Sequence, residues 1–420
     1  MRRGRLWVAA LGLTLLPVIA PAYTFRANEG VLPPGSTMGE PSTRPRQVLT
    51  VDRQGGRVPY LVALGKVAFN APEIFGGLAR QARMTCNACH RNGANNPELF
   101  VDGLSTRPGT FDPTNALFNP KTDDGIFQSV DIPSLRGIRL TGPYGRDGRF
   151  ASLREFTRHV IVEEFAGAEP SPLILDALVA YQQQFEFLPN AIFRPDGRLI
   201  DMAPAAARRG EVLFFRPFPS APELSCAGCH PPTANFLDRR QHDFGGGTFD
   251  TPSLRDVRFS APFFHDGRFP VLAQVVDYFN DLFGLGLSSG DRSDLVAYLD
   301  AVGDGERPEE AITLATDLAD LSAMIEALDG ALADEDRASV ALVVDTARLV
   351  LSAMHDRYPE REAAARQVLV EWSVQLRQID RLSGEDEFEE AKLAFRQHRN
   401  RLSADEAILR QAQTAAGYIQ

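Results

Sequence analysis

The chain has 420 residues, 44% apolar and 24% charged, with a formal net charge of −11. This length suits two or three compact domains. The acidic balance excludes the nucleic-acid binders that need a basic patch or stripe. The charge is uneven, because residues Glu306 to Gln420 carry 23 acids against 13 bases and leave the preceding part close to neutral. That acidic segment reads as a solvated face, with a docking surface as the alternative.

In chain order, Arg2, Arg3 and Arg5 precede an apolar run from Leu6 to Ala20 and a small-x-small site at Ala20-Pro21-Ala22. Residues 1–22 are therefore expected to be a signal peptide, cleaved near Ala22, and the protein to be periplasmic. Arg2-Arg3 leaves the twin-arginine route open beside the general secretory one. The run is too short to favour a span, and no later stretch of about 18 uninterrupted apolar residues occurs, so no membrane span is expected. Residues 23–56, Pro/Gly/Ser-rich from Leu32 to Arg46, form an extended leader.

All four cysteines then fall in two Cys-x-x-Cys-His units, Cys86 to His90 and Cys226 to His230. Three residues along a helical turn place two sulfurs on one side of the chain, where each can form a thioether with a haem vinyl group. The following histidine offers an imidazole nitrogen to the iron. A zinc tetrathiolate or two disulfides are the alternatives, but neither calls for a histidine after both pairs.

Around these units the chain repeats itself. Asp131 to Phe150 aligns without gaps to Asp250 to Phe269, with 11 identities in 20 positions. Ahead of each unit stands a helical segment with matching glycine and phenylalanine, Gly65 with Phe69 and Gly210 with Phe214. Behind each repeat comes an amphipathic helix, then Leu-Val-Ala-Tyr, ending at Tyr181 or Tyr298. The first copy has a longer loop, 44 positions from His90 to Ser134 against 23 from His230 to Ser253, rich in Asn, Asp, Pro, Gly and Phe. After Ala311, Leu314, Leu318, Leu321, Ile325 and Leu328 recur at helical spacing. Pro359 suits a first helical position, and Ser403 to Glu406 a capping box. The expected fold is all-α: cytochrome c-like haem domains at 57–190 and 204–303 in tandem, then an acidic helical bundle at 306–420.

The combination of two Cys-x-x-Cys-His units with Pro-Ser-Leu-Arg and Asp-Gly-Arg motifs, over roughly Pro59 to Gly303, resembles the bacterial di-haem cytochrome c peroxidase family, which includes MauG. The resemblance implies two covalently bound haems c, the first held by Cys86, Cys89 and His90 and reducing hydrogen peroxide. The second, held by Cys226, Cys229 and His230, passes electrons from a small donor protein such as a cytochrome c or cupredoxin. MauG-like oxidation of a substrate is a close variant, and a di-haem electron carrier without peroxidase turnover is the alternative. A calcium ion between the domains is also implied, with backbone oxygens near Thr251 as conceivable ligands.

Departures from the family pattern mark the opposite side of each iron. Where relatives place a tryptophan before the first Asp-Gly-Arg, this chain has Arg146, with Tyr144 two residues earlier as a partial substitute. The second axial position falls at Phe279, which cannot ligate, so Tyr278 and His242 are the candidate ligands. His265 is expected to be structural, His159 at the surface, and His355 and His398 solvated. No histidine follows His90 before His159. Among Glu98, Asp123, Asp124 and Gln128, Gln128 is the candidate for moving a proton during peroxide cleavage. The repeated arginines Arg136, Arg139 and Arg149, with Arg255, Arg258 and Arg268, suit haem propionates or a brace against Asp147 and Asp266.

Overall fold

The computed structural model describes residues 28–39, 43–50, 58–194, 196–243, 247–303, 309–416 and 418, so the expected signal peptide lies outside the described residues. The first part comprises α1 (Tyr60–Phe69), α2 (Gly77–Gln81), α3 (Cys86–Cys89), α4 (Leu153–His159) and α5 (Pro172–Gln182). The second comprises α6 (Ala205–Phe215), α7 (Cys226–Cys229), α8 (Leu272–Leu282) and α9 (Ser289–Val302). Next come α10 (Leu314–Ala333), α11 (Arg337–Arg357), α12 (Ala363–Gly384) and α13 (Phe388–Gln411). Strands β1 (Thr43–Pro45), β2 (Thr110–Phe111), β3 (Val130–Asp131), β4 (Gln241–Asp243), β5 (Thr248–Asp250) and β6 (Glu309–Ala311) make short antiparallel pairs, β1 with β6, β2 with β3 and β4 with β5. The fold is mainly helical.

The duplicated glycines explain the helix packing. A Cβ on Gly65 would lie 1.9 Å from the carbonyl oxygen of Ala177, and one on Gly210 would lie 1.9 Å from that of Asp294. Only glycine lets α1 cross α5, and α6 cross α9, this closely. The repeated aromatics then meet beside each crossing, Phe69 with Tyr181 at 5.4 Å between ring centroids and Phe214 with Tyr298 at 4.8 Å. Thus Gly-x-x-x-Phe and Leu-Val-Ala-Tyr are two halves of one contact, made twice.

The cores are not arranged as three units. Phe214, Phe236, Val276, Tyr298 and Val302 centre one cluster, while Leu64, Phe69 and Tyr181 belong to a second that runs on into Leu328, Val343 and Trp372. The helices from α10 onward share a core with α1 because Tyr60 lies over Gly330 and leaves no room there for a Cβ. Charge fixes the same seam. Arg44 and Lys66 reach Asp320 at 2.6 and 2.9 Å, and Arg44 also meets Glu310 at 2.7 Å. Burial pushes the Asp320 carboxyl up, but Lys66 and Arg44 outweigh it and hold the group below the ordinary carboxylate range.

Three expectations for the last segment are corrected. Ser403 to Glu406 lies inside α13, because Asp405 is engaged elsewhere, accepting from Trp372 Nε1 at 2.8 Å. Reciprocal capping boxes stand instead at Ser288 with Asp291 and at Thr313 with Thr316. Pro359 lies in the turn before α12, where the Glu362 amide donates to its carbonyl at 2.9 Å. His398 is buried, with Nδ1 2.6 Å from Gln375 Oε1 and its ring edge-on to Trp372. By length and composition α11 could cross a membrane, yet 56% of its apolar window is buried against its neighbours, as in the core helix of a folded domain.

Candidate functional site

The two Cys-x-x-Cys-His units adopt one geometry. Thr85 Oγ1 accepts from the Ala88 amide at 3.1 Å, Ser225 Oγ accepts from the Gly228 amide at 3.1 Å, and these caps start the one-turn helices α3 and α7. The His90 and His230 amides close the turns on Cys86 and Cys226, both at 2.8 Å. Each imidazole is then oriented by a backbone carbonyl: His90 Nδ1 donates to Pro133 at 2.9 Å and His230 Nδ1 donates to Phe236 at 3.1 Å. A carbonyl can only accept, so the proton is on Nδ1 and the Nε2 lone pair is left for a metal. Burial lowers the His90 pKa to about 4 and also lowers that of His230, so both rings are neutral, as a ligand must be.

The sulfurs fit haem better than the alternatives. All four cysteines are free of disulfides. Among the described residues the one metal-sized group of ligand atoms is Cys229, Asp238 and His242, so the two cysteine pairs do not come together as a zinc tetrathiolate. Burial pushes the thiols up, Cys86 and Cys89 to about 12 and Cys226 to about 11. Neutral thiols at this spacing beside an imidazole with a free Nε2 match covalent haem attachment.

The second half carries a connected group of aromatic residues. Tyr278 packs on Phe264 at 4.9 Å and on Phe269 at 5.7 Å, and the ring of its neighbour Phe279 lies edge-on at 5.4 Å. His242, on β4, is engaged through Nε2 by Asp238 at 2.8 Å, and both stand beside Cys229. His265 is stacked flat on Phe249, 3.8 Å between centroids, and its Nε2 lies 3.4 Å from Arg268. Thr251, the place considered for calcium, is buried, and its amide donates to Arg240 at 3.3 Å.

At the first site the sequence reading missed Glu164. After α4 the helix widens into a π turn, Val160–Glu164, which rotates this carboxyl inward until only 13% of the side chain is exposed. Its charge is felt by Cys89. Burial raises its pKa to about 7 against the opposing pull of Arg149. His159, expected at the surface, is half-buried, 3.7 Å from Glu164 and 5.0 Å from the Phe150 ring. A glutamate in an amphipathic stretch gives no sign of this, because a 3.6-residue period assumes an unbroken α-helix. Gln128 lies further out, its Nε2 donating to Asp124 at 2.9 Å and its Oε1 accepting from Arg146 at 3.1 Å. Glu98 pairs with Arg91, while Asp123 and Asp124 cap their own loop.

Between the two halves the duplicated loops interlock reciprocally. The Asp131 amide donates to the His265 carbonyl at 3.1 Å, and the Asp250 amide to the Arg146 carbonyl at 3.0 Å, equivalent positions exchanged across the seam. Arg136 approaches Asp256 at 3.8 Å with both side chains buried. Asp256 stands where the first repeat has Gly137, and both adopt positive φ, 61° and 70°. Arg149 and Arg268 brace Asp147 and Asp266 at 2.8 Å, while Arg255 lies over the rings of Phe187 and Phe193.

A mainly helical chain with two such sites is a c-type cytochrome by construction. A family model described as di-haem cytochrome c peroxidase matches residues 204–290. The chain is 27% identical over 364 residues to hydrazine synthase subunit gamma of Kuenenia stuttgartiensis, covering 70% of this chain and 94% of that protein. It is 25% identical over 303 residues to methylamine utilization protein MauG of Methylorubrum extorquens, covering 58% and 78%. A 61-residue match to cytochrome-c peroxidase IdrP2 of Denitromonas iodatirespirans is 43% identical and covers 13% and 17%. Together these matches support a member of the di-haem cytochrome c peroxidase/MauG family, the family model itself covering residues 204–290. They support a redox function and imply covalently bound haem c.

Proposed function

We propose that the protein is a periplasmic peroxide-using oxidoreductase in which the site at Cys86, Cys89 and His90 handles hydrogen peroxide. The site at Cys226, Cys229 and His230 supplies electrons from a small donor protein. The observation that carries this reading is Glu164, a largely buried carboxyl beside Cys89 with a pKa raised to about 7. Cleaving peroxide requires a proton to leave one oxygen and arrive at the other, and a group that titrates near the working pH does both. Cys86, Cys89 and His90 would hold haem, which would supply redox-active iron for reduction of peroxide. Glu164 takes the proton from one peroxide oxygen onto its carboxylate and returns it to the departing one, which leaves as water. Gln128 serves from further out by holding Arg146 at the seam. At the second site Tyr278 would be the better candidate for a further iron ligand, since Asp238 already engages His242 Nε2.

The test is electron paramagnetic resonance of the holoprotein, followed by one equivalent of peroxide with reduced cytochrome c as donor. The first iron is expected to be high-spin, and donor oxidation to match peroxide consumed at two electrons each. Two low-spin irons and an unchanged spectrum after peroxide would sink the enzyme reading in favour of an electron carrier.

A further inference from the structure

A cleft of about 440 Å³ opens at the seam between the two halves, beside the reciprocal Asp131–His265 and Asp250–Arg146 bonds. Arg107 and Phe127, from the long loop of the first half, line it. Arg146 and the stacked pair Phe249 and His265 also line it.

The charges in the lining do not cancel. Asp147 and Asp266 both face the cleft, but each is matched within its own loop, Asp147 by Arg149 at 2.8 Å and Asp266 by Arg268 Nε at 2.8 and 2.9 Å. Arg107 and Arg146 have only neutral partners among the described residues. Arg107 donates to the Arg268 carbonyl at 2.6 Å and Arg146 to Gln128 Oε1 at 3.1 Å. Arg107 Nε is buried and has no hydrogen-bond partner among the described residues. Two guanidinium charges therefore remain for a ligand, and a guanidinium fork best matches a planar carboxylate.

Aromatic rings make up part of the remaining surface. Phe127 leaves 55% of its surface exposed, and the Phe249–His265 pair is stacked within 12° of parallel. Hydroxyls of Thr106, Ser129 and Thr248 complete the polar edge. An inorganic oxyanion would use the arginines and leave the rings in water; an aromatic acid covers both.

We propose that this cleft is a binding site for an aromatic carboxylate, its carboxylate held by Arg107 and Arg146 and its ring against Phe127 and the Phe249–His265 stack. None of these side chains is among the cysteines and histidines that would hold haem, so binding here can be measured apart from peroxide turnover.

The test is calorimetric titration of the full-length holoprotein with benzoate and, separately, benzamide and inorganic phosphate. Saturable benzoate binding is expected, with benzamide at least about tenfold weaker for want of the charge. Arg107→Gln, Arg146→Gln and Phe127→Ala should each weaken benzoate by a factor of about ten. Arg146 and Phe127 are exposed, so their variants fold even if Arg107→Gln does not. No saturable binding, or an affinity the arginine variants leave unchanged, overturns the site. Phosphate binding as tightly as benzoate overturns the aromatic assignment.

Discussion

Gly210→Ala is a demanding test of the helix crossing. The new Cβ would sit 1.9 Å from the Asp294 carbonyl oxygen and 2.9 Å from Tyr298 Cβ, whereas ordinary contact begins at 3.4 Å. Backbone cannot yield as a side-chain tip can, so α6 must move off α9 by about 1.5 Å. A gap of that size forfeits about half of the dispersion energy along the contact, including that of Phe214 on Tyr298. Overpacking of this kind costs about 1–3 kcal/mol and at times more. The better helix propensity of alanine returns about 1 kcal/mol. The overpacking is severe here, and a net loss of about 2 kcal/mol is expected. For a domain of roughly 100 residues that lowers the unfolding midpoint by about 10 °C. The assay is thermal unfolding of the holoprotein followed by Soret circular dichroism. Gly290→Ala is the control, since its nearest neighbour is a Ser288 hydroxyl 3.7 Å away. If Gly210→Ala melts within a degree or two of that control, the crossing is not what requires glycine. Gly65→Ala should behave like Gly210→Ala.

Further outcomes follow from the charged and aromatic groups. Because burial raises Glu164 to about 7, the native state holds a proton that the unfolded chain releases near its ordinary carboxylate pKa. Its stabilising contribution is present below that ordinary value and is lost as pH rises through about 7, amounting to about 3 kcal/mol. Glu164→Gln should flatten this slope in pH-dependent melting and remove the inflection near 7 from peroxide turnover. Asp320→Asn strands Arg44 and Lys66 at a mostly buried seam and should cost about 3 kcal/mol. Limited proteolysis should then release the segment from α10 onward, and an intact chain under conditions that spare the wild type would count against the seam. Tyr278→Phe should change the visible spectrum and potential of the second site while His242→Phe leaves them alone; the opposite pattern would make His242 the ligand.

The duplication and the haem-binding units were legible because they depend on covalent spacing and on residues that recur together. The partners of Gly65 and Gly210 were legible only as a second repeated motif, since the meaning of Leu-Val-Ala-Tyr emerges when the helices cross. What orients His90 was hidden, because Pro133 supplies a backbone oxygen 43 residues away and any residue type could do so. Glu164 was hidden by a local change of helical pitch. His398 and the Ser403–Glu406 stretch misled for a shared reason: His398 and Asp405, which look solvated or capping, are drawn to Trp372, whose indole N–H needs an acceptor when buried.

The pairing of β1 with β6 couples the start of the described chain to a stretch made much later. Thr43 meets Ala311, and Arg44 meets Glu310 and Asp320, across separations of 266 and 276 residues for the two ion pairs. During synthesis α1 emerges early but has no cover over Tyr60 and no counter-charge for Lys66 until α10 appears. Such distant contacts carry the loop-closure entropy of everything between them. The first half to be made is therefore the last to be finished, and its Cys86–Cys89 turn stays in an unsealed neighbourhood while the second half is already complete.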